Sequence, residues 1–114
     1  MNTVRIVLAD DHAVVREGLR ALLEQQADLQ IVGEAVDGPG AIEAAVRQQP
    51  HLVLMDMKMP GAGFVATISE IRRRCPQVNV MVFTSYAEDT QVRDALAAGA
   101  TGYLLKDALR DDLV

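Results

Sequence analysis

The sequence predicts a doubly wound α/β domain built on a five-stranded parallel sheet. Two observations carry that prediction. Short apolar runs bounded by turn residues alternate with stretches whose apolar residues recur every three or four positions. That alternation is the pattern of buried strands joined by covering helices. The first and third apolar runs also end in carboxylates, Asp10-Asp11 and Asp56. Open α/β sheets bind their ligands at the carboxyl ends of the strands, so these acids mark a candidate site.

The elements follow in order. Val4 to Ala9 is the first strand, delivering Asp10-Asp11 at its end. From about Ala13 to Gln26 a helix carries Val15, Leu19 and Leu22 on one stripe. Leu29 to Val36 is the second strand. Pro39 lies near a helix start, where its missing N–H costs little, and that helix runs to about Gln48. The third strand is His51 to Met55, with Asp56 ending the run before Met57-Lys58-Met59-Pro60-Gly61. Phe64, Ile68, Ile71 and Cys75 define a third helix that ends before Pro76. Val78 to Phe83 is the fourth strand and Asp89 to Ala98 the fourth helix, stopped by Gly99. Thr101 to Leu105 is the fifth strand. Leu109 to Val114 begins a helical pattern, so a fifth helix is expected to be cut short there. Right-handed crossovers complete the sandwich.

A chain of 114 residues fits one domain with one core. No apolar stretch approaches the roughly 18 residues that span a bilayer. The N-terminus runs straight into a strand without a signal-peptide pattern. The single Cys75 cannot form an internal disulfide, and with these features it points to a cytoplasmic location. The net charge of −5 argues against this domain itself gripping a phosphate backbone. Contact with DNA would have to come from elsewhere in a longer chain.

The strand ends, taken together, present Asp10, Asp11, Asp56, Thr84 and Lys106 on one edge. Carboxylates about 4 Å apart repel by about 4 kcal/mol per pair at an effective dielectric near 20. Such a cluster calls for a divalent cation or a proton. Oxygen ligands favour Mg²⁺ or Ca²⁺, and Mg²⁺ commonly shares itself with a phosphate. Two scattered histidines and one cysteine suggest no transition-metal site. Beside a cation, one carboxylate can attack a phosphoryl group to form an acyl phosphate. Asp56, central in the sheet, is the best placed. Lys106 could then neutralise a phosphoryl oxygen and the Thr84 hydroxyl donate to another. Taken singly, Asp10-Asp11 could cap a helix, and Thr84 or Lys106 could be an ordinary surface residue. The combination at four strand ends favours the site. His12 is expected in the first turn of a helix, His51 in a structural role and Cys75 as a small packing residue.

These residues resemble the receiver domain of two-component response regulators, a CheY-like fold. The resemblance rests on Ala9-Asp10-Asp11-His12, Leu54 to Gly61, Phe83-Thr84-Ser85 and Tyr103-Leu104-Leu105-Lys106. The run Asp10 to Leu19 is most similar to the NarL/FixJ subfamily, whose output is a LuxR-type helix-turn-helix. The resemblance implies a flavodoxin-like strand order 2-1-3-4-5, and it covers essentially the whole chain. It further implies that Asp56 accepts a phosphoryl group from the phosphohistidine of a partner sensor histidine kinase. Asp11, Asp56 and the backbone carbonyl of Lys58 would bind Mg²⁺ directly and Asp10 through water. Thr84 and Tyr103 would form the switch, Lys106 would pair with the phosphoryl oxygen, and the face of the fourth helix and fifth strand would be the output surface. A helix-turn-helix output domain, absent here, would bind DNA, and phosphorylation would favour a homodimer. Lys58 and Tyr86, two residues beyond Asp56 and Thr84, would flank the attacking water and slow dephosphorylation.

One departure stands out. Ala62-Gly63-Phe64 is one residue shorter than the family pattern and lacks the polar residue that usually precedes the third helix. An altered helix start, with a missing side-chain cap, is therefore expected. Other classes fit less well. A haloacid-dehalogenase-type phosphatase needs a second Asp where Lys58 stands, and no P-loop spacing exists. A flavodoxin would carry a Ser/Thr/Gly-rich first loop instead of an acidic one. The remaining alternative is a receiver that acts as an interaction module without phosphorylation.

Overall fold

The computed structural model describes residues 3–57, 63–84 and 89–105. Along the chain run β1 (Val4–Ala9), α1 (Ala13–Glu24), β2 (Leu29–Ala35), α2 (Gly38–Gln48) and β3 (Leu52–Asp56). They are followed by α3 (Phe64–Arg74), β4 (Asn79–Thr84), α4 (Asp89–Ala98) and β5 (Gly102–Leu105). All neighbouring strands pair in parallel in the order β2-β1-β3-β4-β5, the expected doubly wound sheet. The anticipated fifth helix lies outside the described residues.

The strands are apolar at successive positions because both faces of the sheet are covered. Ile6, Leu8, Leu54 and Phe83 form one core cluster with Leu19 of α1. Val7, Ala9, Val53, Met55, Val80 and Val82 form the other, with Ala41 and Ala45 of α2, Ile68 and Ile71 of α3 and Ala95 of α4. Val15 and Leu23 of α1 pack on the first cluster beside Leu19. The core-facing stripe of α1 is thus Val15, Leu19 and Leu23, and Leu23 takes the place expected of Leu22. A spacing of four throughout keeps the three side chains on one side of a 3.6-residue helix.

Local chemistry sets the element ends. Helix α2 is capped by Asp37, whose side chain accepts from the Gly40 N–H at 2.7 Å, with a proline in the first turn. Helix α4 ends at Gly99, where φ of +120° closes the helix as expected. Helix α3 starts without a side-chain cap: Gly63 sits at φ +93°, and its carbonyl accepts from the Thr67 N–H and hydroxyl. That is the missing cap expected from the shortened segment, while 58–62 lie outside the described residues. Strand β3 is shifted by one residue from its expected range. His51 stands just before it, and its Nδ1 accepts from the Arg5 N–H at 2.9 Å, a structural role. The shift makes Asp56 the last residue of the strand itself.

Strand β2 carries an irregularity that matters for the site. Ile6 pairs with Ile31 but Val7 pairs with Gly33, so Val32 is an extra residue. Beyond it, Glu34 lies opposite Leu8, on the face covered by α1.

Candidate functional site

The site is built from the ends of β1 and β3. The Asp10 N–H donates to the Ala35 carbonyl at 3.0 Å, extending the β1–β2 ladder one residue past the strand. Asp10 is thereby held against the sheet and is fully buried. Asp56 is 2% exposed at the end of β3, opposite Phe83 of β4. Met57, the next residue, is buried in the core and anchors the chain as it leaves the strand. Asp11 is more open, with 32% of its side chain exposed.

The side chains converge. One ligand atom from each of Asp10, Asp11, His12 and Asp56 lies within 4.8 Å of the others. Burial removes the water that would screen two of these carboxylates, so their mutual repulsion is felt more strongly than on a surface. Three carboxylates in that space fit a hard divalent cation. The fold thus brings the side chains of Asp10, Asp11 and Asp56 together at one edge of the sheet.

The register of the sheet accounts for the other side of the site. Asp56 pairs with Phe83, and Thr84, the following residue of β4, pairs with Leu105 of β5. Thr84 therefore ends its strand on the same edge as Asp56. Lys106 directly follows Leu105 in sequence but lies outside the described residues, as do Lys58 and Tyr86. Tyr103 pairs with Val82 within β5 and is 42% exposed.

Two residues near the acids were not assigned to them from the sequence. His12, expected in the first turn of the helix, is instead the N-cap residue of α1, with extended backbone and no capping bond from its side chain. Its N–H donates to Asp10 Oδ1 at 2.7 Å, and its Nδ1 lies 3.2 Å from that oxygen and 3.0 Å from Asp11 Oδ1. Arg16, one turn into α1, donates through Nη1 to the Asp10 carbonyl at 2.7 Å and through Nε to Glu34 Oε1 at 3.0 Å. Glu34 is also paired with Arg20. Burial pushes the Glu34 carboxyl up, but the Arg20 and Arg16 guanidinium groups outweigh it and hold it below its ordinary value. Glu34, the one charged residue of the second strand, was the available signal for this cluster.

The sequence matches the response regulator receiver domain family over residues 6–114. The chain is a member of that family. The receiver is 42% identical over 111 residues to the transcriptional regulatory protein YhcZ of Bacillus subtilis, covering 97% of this chain and 52% of that protein. It is 37% identical over 111 residues to the response regulator protein VraR of Staphylococcus aureus, covering 97% of this chain and 53% of VraR. The receiver thus spans about half the length of the curated relatives it matches. In three dimensions it is similar to the signal receiver domain of the response regulator NarL from Mycobacterium tuberculosis. There the TM-score is 0.90 at 32% identity, covering 99% of this chain and 95% of that one. A LuxR-family response regulator from Aurantimonas sp. SI85-9A1 superposes with a TM-score of 0.87 at 35% identity, over 92% of this chain and 75% of that one. The subfamily suggested by the run Asp10 to Leu19 is therefore also that of the similar proteins. Phosphorylation on an aspartate is the general function of such domains. Among the described residues no helix is long and apolar enough to cross a membrane.

Proposed function

We propose that this receiver accepts a phosphoryl group on Asp56 from the phosphohistidine of a partner sensor kinase. The observation that carries the proposal is the convergence of buried Asp56 with Asp10 and Asp11 at one sheet edge. An Asp56 carboxylate oxygen attacks phosphorus, the O–P bond forms as the N–P bond breaks, and the imidazole departs with the electron pair. The product is an acyl phosphate, which water later hydrolyses to free Asp56 and inorganic phosphate. The domain assists its own phosphorylation and dephosphorylation and is a phospho-acceptor rather than an enzyme acting on a separate substrate.

Asp10, Asp11 and Asp56 fit Mg²⁺ by their chemistry, with the Lys58 backbone carbonyl as a further proposed ligand. When bound, the cation offsets carboxylate repulsion and draws negative charge from the phosphoryl oxygens. Lys106 is assigned to pair with a phosphoryl oxygen and Thr84 to donate to another. Thr84 and Tyr103 would act as the switch: the exposed Tyr103 ring turns inward as Thr84 is drawn to the new charge. The readout surface is the face of α4 and β5. Lys58 and Tyr86 are assigned to flank the attacking water, and replacing both with small residues should shorten the phosphorylated lifetime.

The likeness to full-length transcriptional regulators supports a cytoplasmic protein whose remaining half is a helix-turn-helix output domain. DNA binding would belong to that domain, with homodimerisation on phosphorylation. The test is intact-mass measurement after incubation with acetyl phosphate, with and without Mg²⁺, beside Asp56→Asn. A Mg²⁺-dependent gain of one phosphoryl group, lost in Asp56→Asn, is expected. No gain in a folded domain would favour an interaction module that signals without phosphorylation.

A further inference from the structure

The sequence scatters its two histidines, but the fold brings His12 into contact with the acids. We propose that His12 is a fourth ligand of the acidic site, through Nδ1, and gives that site a preference for a divalent transition metal such as Ni²⁺ over Mg²⁺. The inference rests on the reading that Asp10, Asp11 and Asp56 hold a divalent cation.

The geometry supports a shared ion rather than a neighbouring one. Nδ1 lies 3.0 Å from Asp11 Oδ1 and 3.2 Å from Asp10 Oδ1. Neighbouring ligand atoms around one small cation stand about 3 Å apart, since each bond is about 2.0–2.1 Å. Opposite ligands on such an ion are about 4.2 Å apart. The four ligand atoms here fall within 4.8 Å, so closure by about half an ångström would seat one ion among them. His12 has freedom for that adjustment, because 65% of its side chain is exposed and it makes no capping bond.

The donor set then decides the metal. Mg²⁺ binds oxygen ligands and gains little from an imidazole, whereas Ni²⁺, Co²⁺ and Zn²⁺ bind imidazole well. Carboxylates alone separate these ions weakly. One nitrogen at close range adds to transition-metal affinity while leaving Mg²⁺ on its oxygens. Two ions would then compete for the same carboxylates, and the cell's free transition metal could set how much of the receiver is available to Mg²⁺.

The test is calorimetric titration of the purified chain with Ni²⁺ and, separately, Mg²⁺, for wild type, His12→Ala and Asp11→Asn. Proton NMR follows the imidazole resonances, which are simple to assign with only two histidines. His12→Ala keeps the backbone N–H that bonds Asp10 and should fold normally. The expected result is a loss of Ni²⁺ affinity of about tenfold or more in His12→Ala, with Mg²⁺ affinity unchanged. Ni²⁺ should broaden the ring signals of His12 and not of His51, and Asp11→Asn should weaken both metals. Unchanged Ni²⁺ affinity in His12→Ala, or equal losses for both metals, would overturn the assignment. So would Ni²⁺ binding that survives Asp11→Asn, because the histidine would then act apart from the acids. Ni²⁺ binding that needs both His12 and Asp11, with no Mg²⁺ binding in wild type, would sustain the assignment and refute the Mg²⁺ reading instead.

Discussion

Arg16 donates to the backbone carbonyl of Asp10 at 2.7 Å, tying the first turn of α1 to the acidic corner it leaves. The same guanidinium bonds Glu34 on β2, so one side chain links helix, edge strand and site. Its side chain is only 18% exposed, which limits competition from water. Removing it leaves the Asp10 carbonyl and Glu34 short of a donor. Arg16→Ala should therefore destabilise the domain by about 1–2 kcal/mol in urea unfolding, the lower part of the range for charged hydrogen bonds because Glu34 is partly exposed. It should also weaken divalent-cation affinity, which a purely structural contact far from the acids would not do.

Glu34 gives a pH signature. Its carboxyl is held below its ordinary value of 4.5, burial notwithstanding, by Arg20 and Arg16. A carboxyl with a depressed folded-state pKa stabilises the fold above its unfolded pKa and loses that contribution as pH falls through the folded value. The stability advantage of wild type over Glu34→Gln should thus be present at neutral pH. It should shrink as pH drops below 4.5. Thermal melts of both proteins across that range measure it, and a difference independent of pH would remove the charge from the explanation.

Asp37 caps α2 through the Gly40 N–H. Asp37→Ala should cost about 1 kcal/mol of stability and leave phosphorylation intact, since Asp37 is not one of the site acids. Asp37→Asn should retain most of that stability. Denaturant midpoints for the pair, read beside acetyl-phosphate uptake, check both parts.

Gly99 is fixed by two independent constraints. It sits at φ +120°, and a Cβ there would stand 2.7 Å from Arg72 Cγ. Backbone strain of about 1–3 kcal/mol adds to that overlap. Gly99→Ala should destabilise more than Gly18→Ala, because a Cβ at Gly18 meets nothing within 4 Å and α1 gains a better helix former. Paired urea titrations decide it: a smaller but persistent difference would mean that Arg72 moves aside and only the backbone strain remains, and equal effects would refute both constraints.

Much of this domain is written locally. Burial of both sheet faces makes the strands continuous apolar runs, and the 3.6-residue period marks the helices, so β1 and α4 have the ranges expected for them. The acids at the ends of β1 and β3 are legible for the same reason, since strand direction alone sends them to one edge. The ends that differ, such as β3 reaching Asp56, are set by pairing with neighbouring strands, which a single segment does not encode.

Contacts between segments were decided only by the tertiary structure. The extra residue Val32 shifts the register so that Glu34 pairs with Leu8 and lies on the α1 face. Regular pairing would have set it opposite Ala9, on the other face, because each one-residue slip inverts side-chain direction. Arg16, Arg20 and the Asp10 carbonyl meet Glu34's cluster through that shift. His12 is similar: the sequence places it after two acids, but only the turn from β1 into α1 aims its Nδ1 at both. Periodicity and strand direction determine which residues reach the site. The register of the edge strand and the path of one turn determine which of them touch.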